Sequence, residues 1–510
     1  LQAIVIEPDV KGQGMTLLGR DARRQVFVTG QYESGQLRDL TRDVQFKVEP
    51  EGILSIDSTG LLHPLKDGVA KLVATGPGEL SAARDITVEG IDRQIPINFK
   101  NQIVPIFTKL GCNSGGCHGK ASGQNGFKLS LLGFYPIDDH EFLVKEGRGR
   151  RLFPSSPSDS VLLQKGTGRV PHGGGKRMDV DSYEYRMLAR WIEQGMPYGS
   201  DDDPVVTSIK CLPQGRTMDR RSEQQISVIA TYSDGSTEDV TRMALYEAND
   251  PEMAEASKTA LVQTLDLSGE VAIMARYQGQ VSTFRATIPL GAPIDSLPEK
   301  NNLIDEAVFT KLEVLGIPPS PVCDDGTFIR RVSVDITGTL PTADEATQFL
   351  ADTEPAQRDR LIDRLLDSPE YADYFSNKWN MVLRNKKRAG DDTAGNFEFY
   401  QWIWSSLYDN KPYVAEILTA SGERSFNPPV VWYREVDEIN EQVEDTAQLF
   451  LGLRIQCARC HHHPFEKWSQ DDYYSMAAFF SRVGKKNLPT TMASTPATRD
   501  KRIFHNEGIA

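Results

Sequence analysis

Two short stretches hold the residues best suited to chemistry. Cys112-Asn-Ser-Gly-Gly-Cys117-His118 lies in the first quarter of the chain, and Cys457-Ala-Arg-Cys460-His461 lies near its end. The second has the Cys-x-x-Cys-His spacing of covalent haem attachment. On a helical turn, residues i, i+3 and i+4 share a face. Two thiols can then meet the two vinyl groups of one macrocycle while the imidazole below them reaches its iron, and Leu449, Phe450, Leu451 and Ile455 are placed to wall the ring. Zinc is the alternative, held by Cys457, Cys460 and one or two of His461, His462 and His463. Zinc has no need of histidine directly after the second cysteine, and a disulfide would leave the histidines unexplained.

The first cluster is wider. Positions five apart stand about 140° round a helix, so a regular helix cannot aim both thiols at one ring. Gly115 and Gly116 are expected to take backbone conformations closed to other residues and loop out the extra pair. A zinc site or a disulfide stays open here too. A six-coordinate iron needs a second axial ligand. For the first haem that ligand is expected to be His172, in "RVPHGGG" just before a helical stretch, with Met178 as rival and Met196 further back. His140 follows Asp138-Asp139 and reads as a solvated surface residue. For the second haem, His463 stands too close to His461 to reach the opposite face. It is left to serve a neighbouring iron, to orient His461, or to hold the turn before Pro464. Met476, Met381 and His505 are candidates, as is an open sixth position. In that last case Arg459, Lys467 and Trp468 are nearby helpers.

The elements that must position these clusters alternate in kind. With 510 residues the chain is too long for one core. "RQVFVTGQY", "VQFKVEP", "VAKLVATG" and "ARDITVEG" predict strands separated by turns. Tyr32, Gly35, Asp39, Thr41 and Arg42 recur 200 residues on as Tyr232, Gly235, Asp239, Thr241 and Arg242. The reading is a multidomain α+β chain in which two all-β immunoglobulin-like sandwiches alternate with two mainly α-helical cytochrome c-type domains. Its parts are a sandwich at 1–92, a haem domain at 95–200, a second sandwich at 205–290 and a mainly helical haem domain at 300–510. In the first haem domain, Tyr185, Leu188, Ala189 and Ile192 have helical spacing, with Gly195 as a C-cap. In the second, Thr342 and Glu345 form a capping box and Pro369 ends a helix over "QRDRLIDRLLDS". Of the six cysteines, only Cys211 and Cys323 lie outside the clusters, as a pair or as free thiols.

The two β segments resemble bacterial Big_2 immunoglobulin-like domains. "CNSGGCHGKASGQNGFKLSLLGFYP" and "VPHGGGKRMDVDSYEYRMLARWIEQG" resemble the planctomycete cytochrome C type domain, PSCyt1. "RRVSVDITGTLPT", "LIDRLLDSPEYADYFSNKWNMVLRNK" and "DTAQLFLGLRIQCARCHHHPFEKWSQDDYYSMAAFFSRV" resemble DUF1549 (PSCyt2). A DUF1553 region, which usually follows in such proteins, is absent. The resemblance implies export and covalent haem, with Cys112, Cys117, His118, Cys457, Cys460 and His461 as haem residues. His172 matches the "PHGGG" loop, and His463 matches an "HPF" element.

The expected function is that of an extracytoplasmic dihaem c-type cytochrome, its signal peptide already removed, with two covalent haems bound axially by His118, His172 and His461. It would carry electrons for a redox partner protein, with a polysaccharide or cell-surface component as a further partner. The alternatives are a dihaem oxidoreductase of peroxidase or oxidase type and a zinc-stapled adhesion or glycan-binding protein. The formal charge of −14 speaks against a nucleic-acid partner. No run is apolar enough to span a bilayer.

Overall fold

Alternation turns the first ninety residues into strands. In Gly68–Thr75 the side chains of Ala70, Leu72 and Ala74 are buried, while Val69, Lys71 and Thr75 face solvent. The computed structural model describes residues 1–8, 14–94, 96–120, 122–200, 202–386, 393–460, 468–487 and 501–505. They divide into two units, Leu1–Pro319 and Ser320–Ala510. Strands dominate the first and helices the second.

The first sandwich sets Ala3–Glu7, Phe27–Gln31 and Leu37–Asp39 in one sheet. Met15–Leu18, Ser81–Glu89, Gly68–Thr75 and Gln45–Glu49 form another, and Arg24–Gln25, Leu61–Pro64 and Leu54–Ile56 a third, small one. One pairing is parallel, Met15–Leu18 with Ser81–Glu89. The second sandwich repeats the same order from Val206–Leu212 to Gln280–Ile288, with Gly215–Thr217 parallel to Gln280–Ile288. The recurrence in sequence is thus a recurrence of topology.

The recurring residues also meet. Asp39 accepts the backbone N–H of Gln225, and Asp239 accepts that of Gln25 at 2.8 Å. Arg42 donates to the Gln225 side-chain oxygen at 3.2 Å, and Arg242 donates to that of Gln25 at 2.8 Å. Thr41 and Thr241 hold the two carboxylates in place through their own backbone N–H groups. The two sandwiches therefore face each other through a reciprocal set of bonds.

Between them runs a block built on α1 (Val104–Lys109), α2 (Pro136–Val144), α3 (Val161–Gly166) and α4 (Tyr183–Glu193). Helix α4 buries Met187, Leu188, Trp191 and Ile192, with Tyr185 and Ala189 partly buried beside them, and Gly195 follows with φ 83°. One continuous core joins this block to the second sandwich, from Ile97 through Trp191 to Ile288. Lys109 reinforces that junction by donating to the Ala244 and Lys258 carbonyls. After the second sandwich, α5 (Leu303–Leu315) closes the first unit.

The second unit contains α6 (Asp325–Thr337), α7 (Ala343–Ala351), α8 (Gln357–Leu366), α9 (Pro369–Val382), α10 (Thr393–Tyr408), α11 (Tyr413–Leu418), α12 (Trp432–Glu435), α13 (Ile439–Phe450) and α14 (Gln470–Ala478). The Thr342–Glu345 capping box opens α7 as its sequence predicts. Pro369 plays a second part: it follows the end of α8 and also occupies the first position of α9, where its missing N–H costs nothing. A core around Phe399, Trp432, Tyr433, Val443 and Tyr473 holds α9 to α14 together.

Candidate functional site

Helix α1 ends at Leu110, and Gly111 takes φ 71° to turn the chain away. Cys112 N–H then returns to the Phe107 carbonyl at 2.8 Å, and His118 N–H reaches the Cys112 carbonyl at 3.0 Å. That second bond closes the whole Cys-x4-Cys-His segment into a loop, so both cysteines sit on turns and the helical register is irrelevant. Gly115 and Gly116 are not among the glycines with positive φ, which corrects the expectation that their special conformations absorb the extra length. The glycine that matters is Gly119. A Cβ there would overlap the carbonyl of Asn113, which is itself buried inside the loop.

His118 and His172 face each other. Their ring centres are 6.3 Å apart and their planes lie within 7° of parallel. Two imidazoles bound on opposite sides of one metal, each at about 2 Å, have ring centres about 6 Å apart. The Nδ1–H of His118 donates to the Phe127 carbonyl and that of His172 to the Gly175 carbonyl, each at 2.9 Å. Because a carbonyl only accepts, both bonds leave Nε2 as the free lone pair. Burial, followed by the charges of His172, Arg151 and Arg177, pulls the His118 pKa down and keeps it in that ligand form, against the pull of the Phe127 carbonyl. A Cβ on Gly174 would press on the His172 ring, so glycine there lets the loop close behind it.

Both rings line a cavity of about 490 Å³. It is walled by Cys112, Cys117, His118, His172 and the apolar Phe107, Leu110, Phe127, Leu129, Val161, Leu162 and Leu188. That volume suits a cofactor-sized ligand. Burial pushes the Cys112 thiol up to about 11, and Arg177 donates to Cys117 Sγ at 3.3 Å. All six cysteines are free thiols, which removes the disulfide alternative within each cluster. Among the described residues no three His, Cys, Asp or Glu side chains converge as a metal-ligand set.

Met178 lines the same cavity but packs over Gly166, while the carbonyl of Met196 accepts a bond from His140 at 2.9 Å. His140 is not the solvated residue its neighbours suggested. It is half-buried with its ring edge-on to Phe99 at 5.0 Å, and Trp191 and Tyr198 complete the box.

In the second unit, Cys457 and Cys460 are both exposed on a 3-10 turn, Gln456–Arg459, whose three-residue repeat puts them on one side. Ala458 and Ile455 anchor that turn in the core, but Leu451 is 57% exposed and does not wall anything. His461, His463 and Lys467 lie outside the described residues, as does the side chain of His505. Met381 is 80% exposed on α9, and Met476 packs partly against the core.

Residues 303–485 match the model of PSCyt2, a protein of unknown function (DUF1549). No curated protein matches the chain in sequence. Solved structures similar to it include the S-layer protein rSbsC, with 9% identity and TM-score 0.16 over 59% of this chain and 29% of that one. Others are the Ig1-2 module of a Drosophila receptor protein tyrosine phosphatase, with 6% identity and TM-score 0.13 over 56% and 100%, and the human desmocollin-1 ectodomain, with 10% and 0.12 over 58% and 65%. The chain spans less than a third of the length of that S-layer protein.

The PSCyt2 segment also holds polar groups that its sequence did not bring forward. Asn385, Gln442, Asp445 and Thr446 are buried, and among the described residues Asn385 Oδ1, Gln442 Oε1, Asp445 Oδ2 and Thr446 Oγ1 each lack a hydrogen-bond partner. Arg384 pairs with the other oxygen of Asp445 at 2.5 Å.

Proposed function

We propose that the block between the two sandwiches binds one covalent c-type haem, attached through Cys112 and Cys117 and ligated by His118 and His172. By the same sequence logic Cys457, Cys460 and His461 bind a second haem, and the protein is an extracytoplasmic electron carrier. The observation that carries the reading is the pair of parallel imidazoles 6.3 Å apart, lining a cavity also walled by both cysteines. Bound there, haem supplies reversible one-electron chemistry. The protein's own part is to hold two neutral imidazoles by their Nδ1–H bonds, to exclude water with Phe107, Phe127, Leu129 and Leu188, and to present two thiols at the ring's edge. With His118 and His172 both engaged in holding it, the haem would supply electron transfer there and not substrate chemistry.

A pyridine haemochrome assay on the full chain, produced with haem-attachment machinery, tests this. The expected result is two haems per chain, with one remaining after Cys112→Ser with Cys117→Ser. His172→Ala should keep the haem attached but turn the first site from low spin to high spin. Fewer than one haem per wild-type chain would end the proposal.

A further inference from the structure

The charge of the molecule is unevenly placed. Against a formal −14 for the whole chain, residues 96–200 hold fourteen Lys and Arg and only nine Asp and Glu. Among the described residues the cavity is lined by four cations, Arg150, Arg151, Lys165 and Arg177, and by no carboxylate. Arg151 is spent on the Phe142, Glu146 and Gly126 carbonyls, and Arg177 on the Leu110 carbonyl and Cys117. Arg150 and Lys165 are exposed, with Arg148 and Arg169 exposed on the same two turns. None of these four exposed cations is in an ion pair among the described residues. Exposed Val161 lines the cavity beside them, and Phe153, half-exposed, follows Arg151 by two residues.

We infer that this cationic mouth with its apolar centre is the docking face for an acidic redox partner. The inference rests on the haem reading. Of the four cations lining the cavity, Arg150 and Lys165 are the exposed ones, so their charge faces outward. A partner with a negative patch is steered to the edge where electrons leave, and the mouth's apolar side chains let it shed water on arrival. The net charge of the whole chain favours the opposite partner, and the local field decides because charges beyond about 10 Å are screened near physiological salt.

The test uses the full chain carrying Cys457→Ser and Cys460→Ser, so that only the first haem reports. Stopped-flow oxidation of the reduced protein by ferricyanide, an anion, is compared with oxidation by tris(phenanthroline)cobalt(III), a cation, after allowance for driving force. Ferricyanide should react faster, and its rate should fall severalfold between about 100 mM and about 500 mM salt, a range in which charges beyond about 10 Å are already screened. Arg148→Glu with Arg169→Glu, both outside the cavity lining, should abolish that salt dependence without loss of haem. A rate that rises with salt for ferricyanide, or a salt dependence untouched by the two reversals, overturns the inference while leaving the haem reading intact. Absence of haem in the parent protein fails the reading itself, and the docking face falls with it.

Discussion

A methyl group on Gly119 would collide with the Asn113 carbonyl, and that carbonyl also accepts the backbone N–H of Leu132 at 3.0 Å. Neither side can give way without opening the loop that presents His118. Gly119→Ala is therefore expected to cost about 2 kcal/mol in urea unfolding and to lower haem content, whereas Gly116→Ala, which meets nothing, should do neither. At this scale the sequence was informative about which side chains gather and poor about what supports them. His172 was picked out because it precedes an amphipathic helix, and its ring stands 6.3 Å from that of His118. Gly119 was not, because its constraint is a contact with a residue six positions earlier in a loop of no regular period. His140 was misjudged from its acidic neighbours, since helix α2 turns successive residues to different faces.

Helix α2 also carries a pH sensor of stability. Asp139 is buried, accepts bonds from Ser130 N–H and Oγ–H, and has its pKa raised to about 6, chiefly by that burial and despite those bonds. An unfolded aspartate titrates near about 3.9, so the native state binds this proton more tightly. The contribution is fully present below about pH 4 and is lost as pH rises through about 6. Urea midpoints measured at intervals from pH 4 to 7 should show wild type losing stability relative to Asp139→Asn across that window. A constant difference between the two proteins would remove the carboxyl from the account. Elements with strong local signals, such as α4, the α7 capping box and the alternating strands, were legible in advance. The end of α13 at Phe450 was not, and "DTAQLFLGLRIQC" continues the apolar pattern past it without continuing the helix. What stops that helix is Gly452, which takes φ 67° directly after the C-cap Leu451, a signal that the continuing apolar pattern hides.

For the whole first unit, the pairs Asp39–Gln225 and Asp239–Gln25 make matched contributions. Asp39→Ala and Asp239→Ala should each destabilise it by about 1–3 kcal/mol, since each leaves a buried N–H without its acceptor. The two losses should agree closely in chemical denaturation followed by tryptophan fluorescence. A silent Asp239→Ala beside a damaging Asp39→Ala would show the reciprocity to be nominal. The recurrence of Asp39, Thr41 and Arg42 as Asp239, Thr241 and Arg242 was visible in the sequence, but that the copies grip each other was not. Partners 186 residues apart leave no trace in local spacing.

A surface that is its own complement can also be satisfied from outside. Should the sandwiches part, the Gln225 of one molecule meets the Asp39 of another as readily as its own, and the exchange is mutual. Two chains trading arms in this way would lose no bond and close as a two-fold dimer, while exchange passed on from chain to chain would build rings or open filaments.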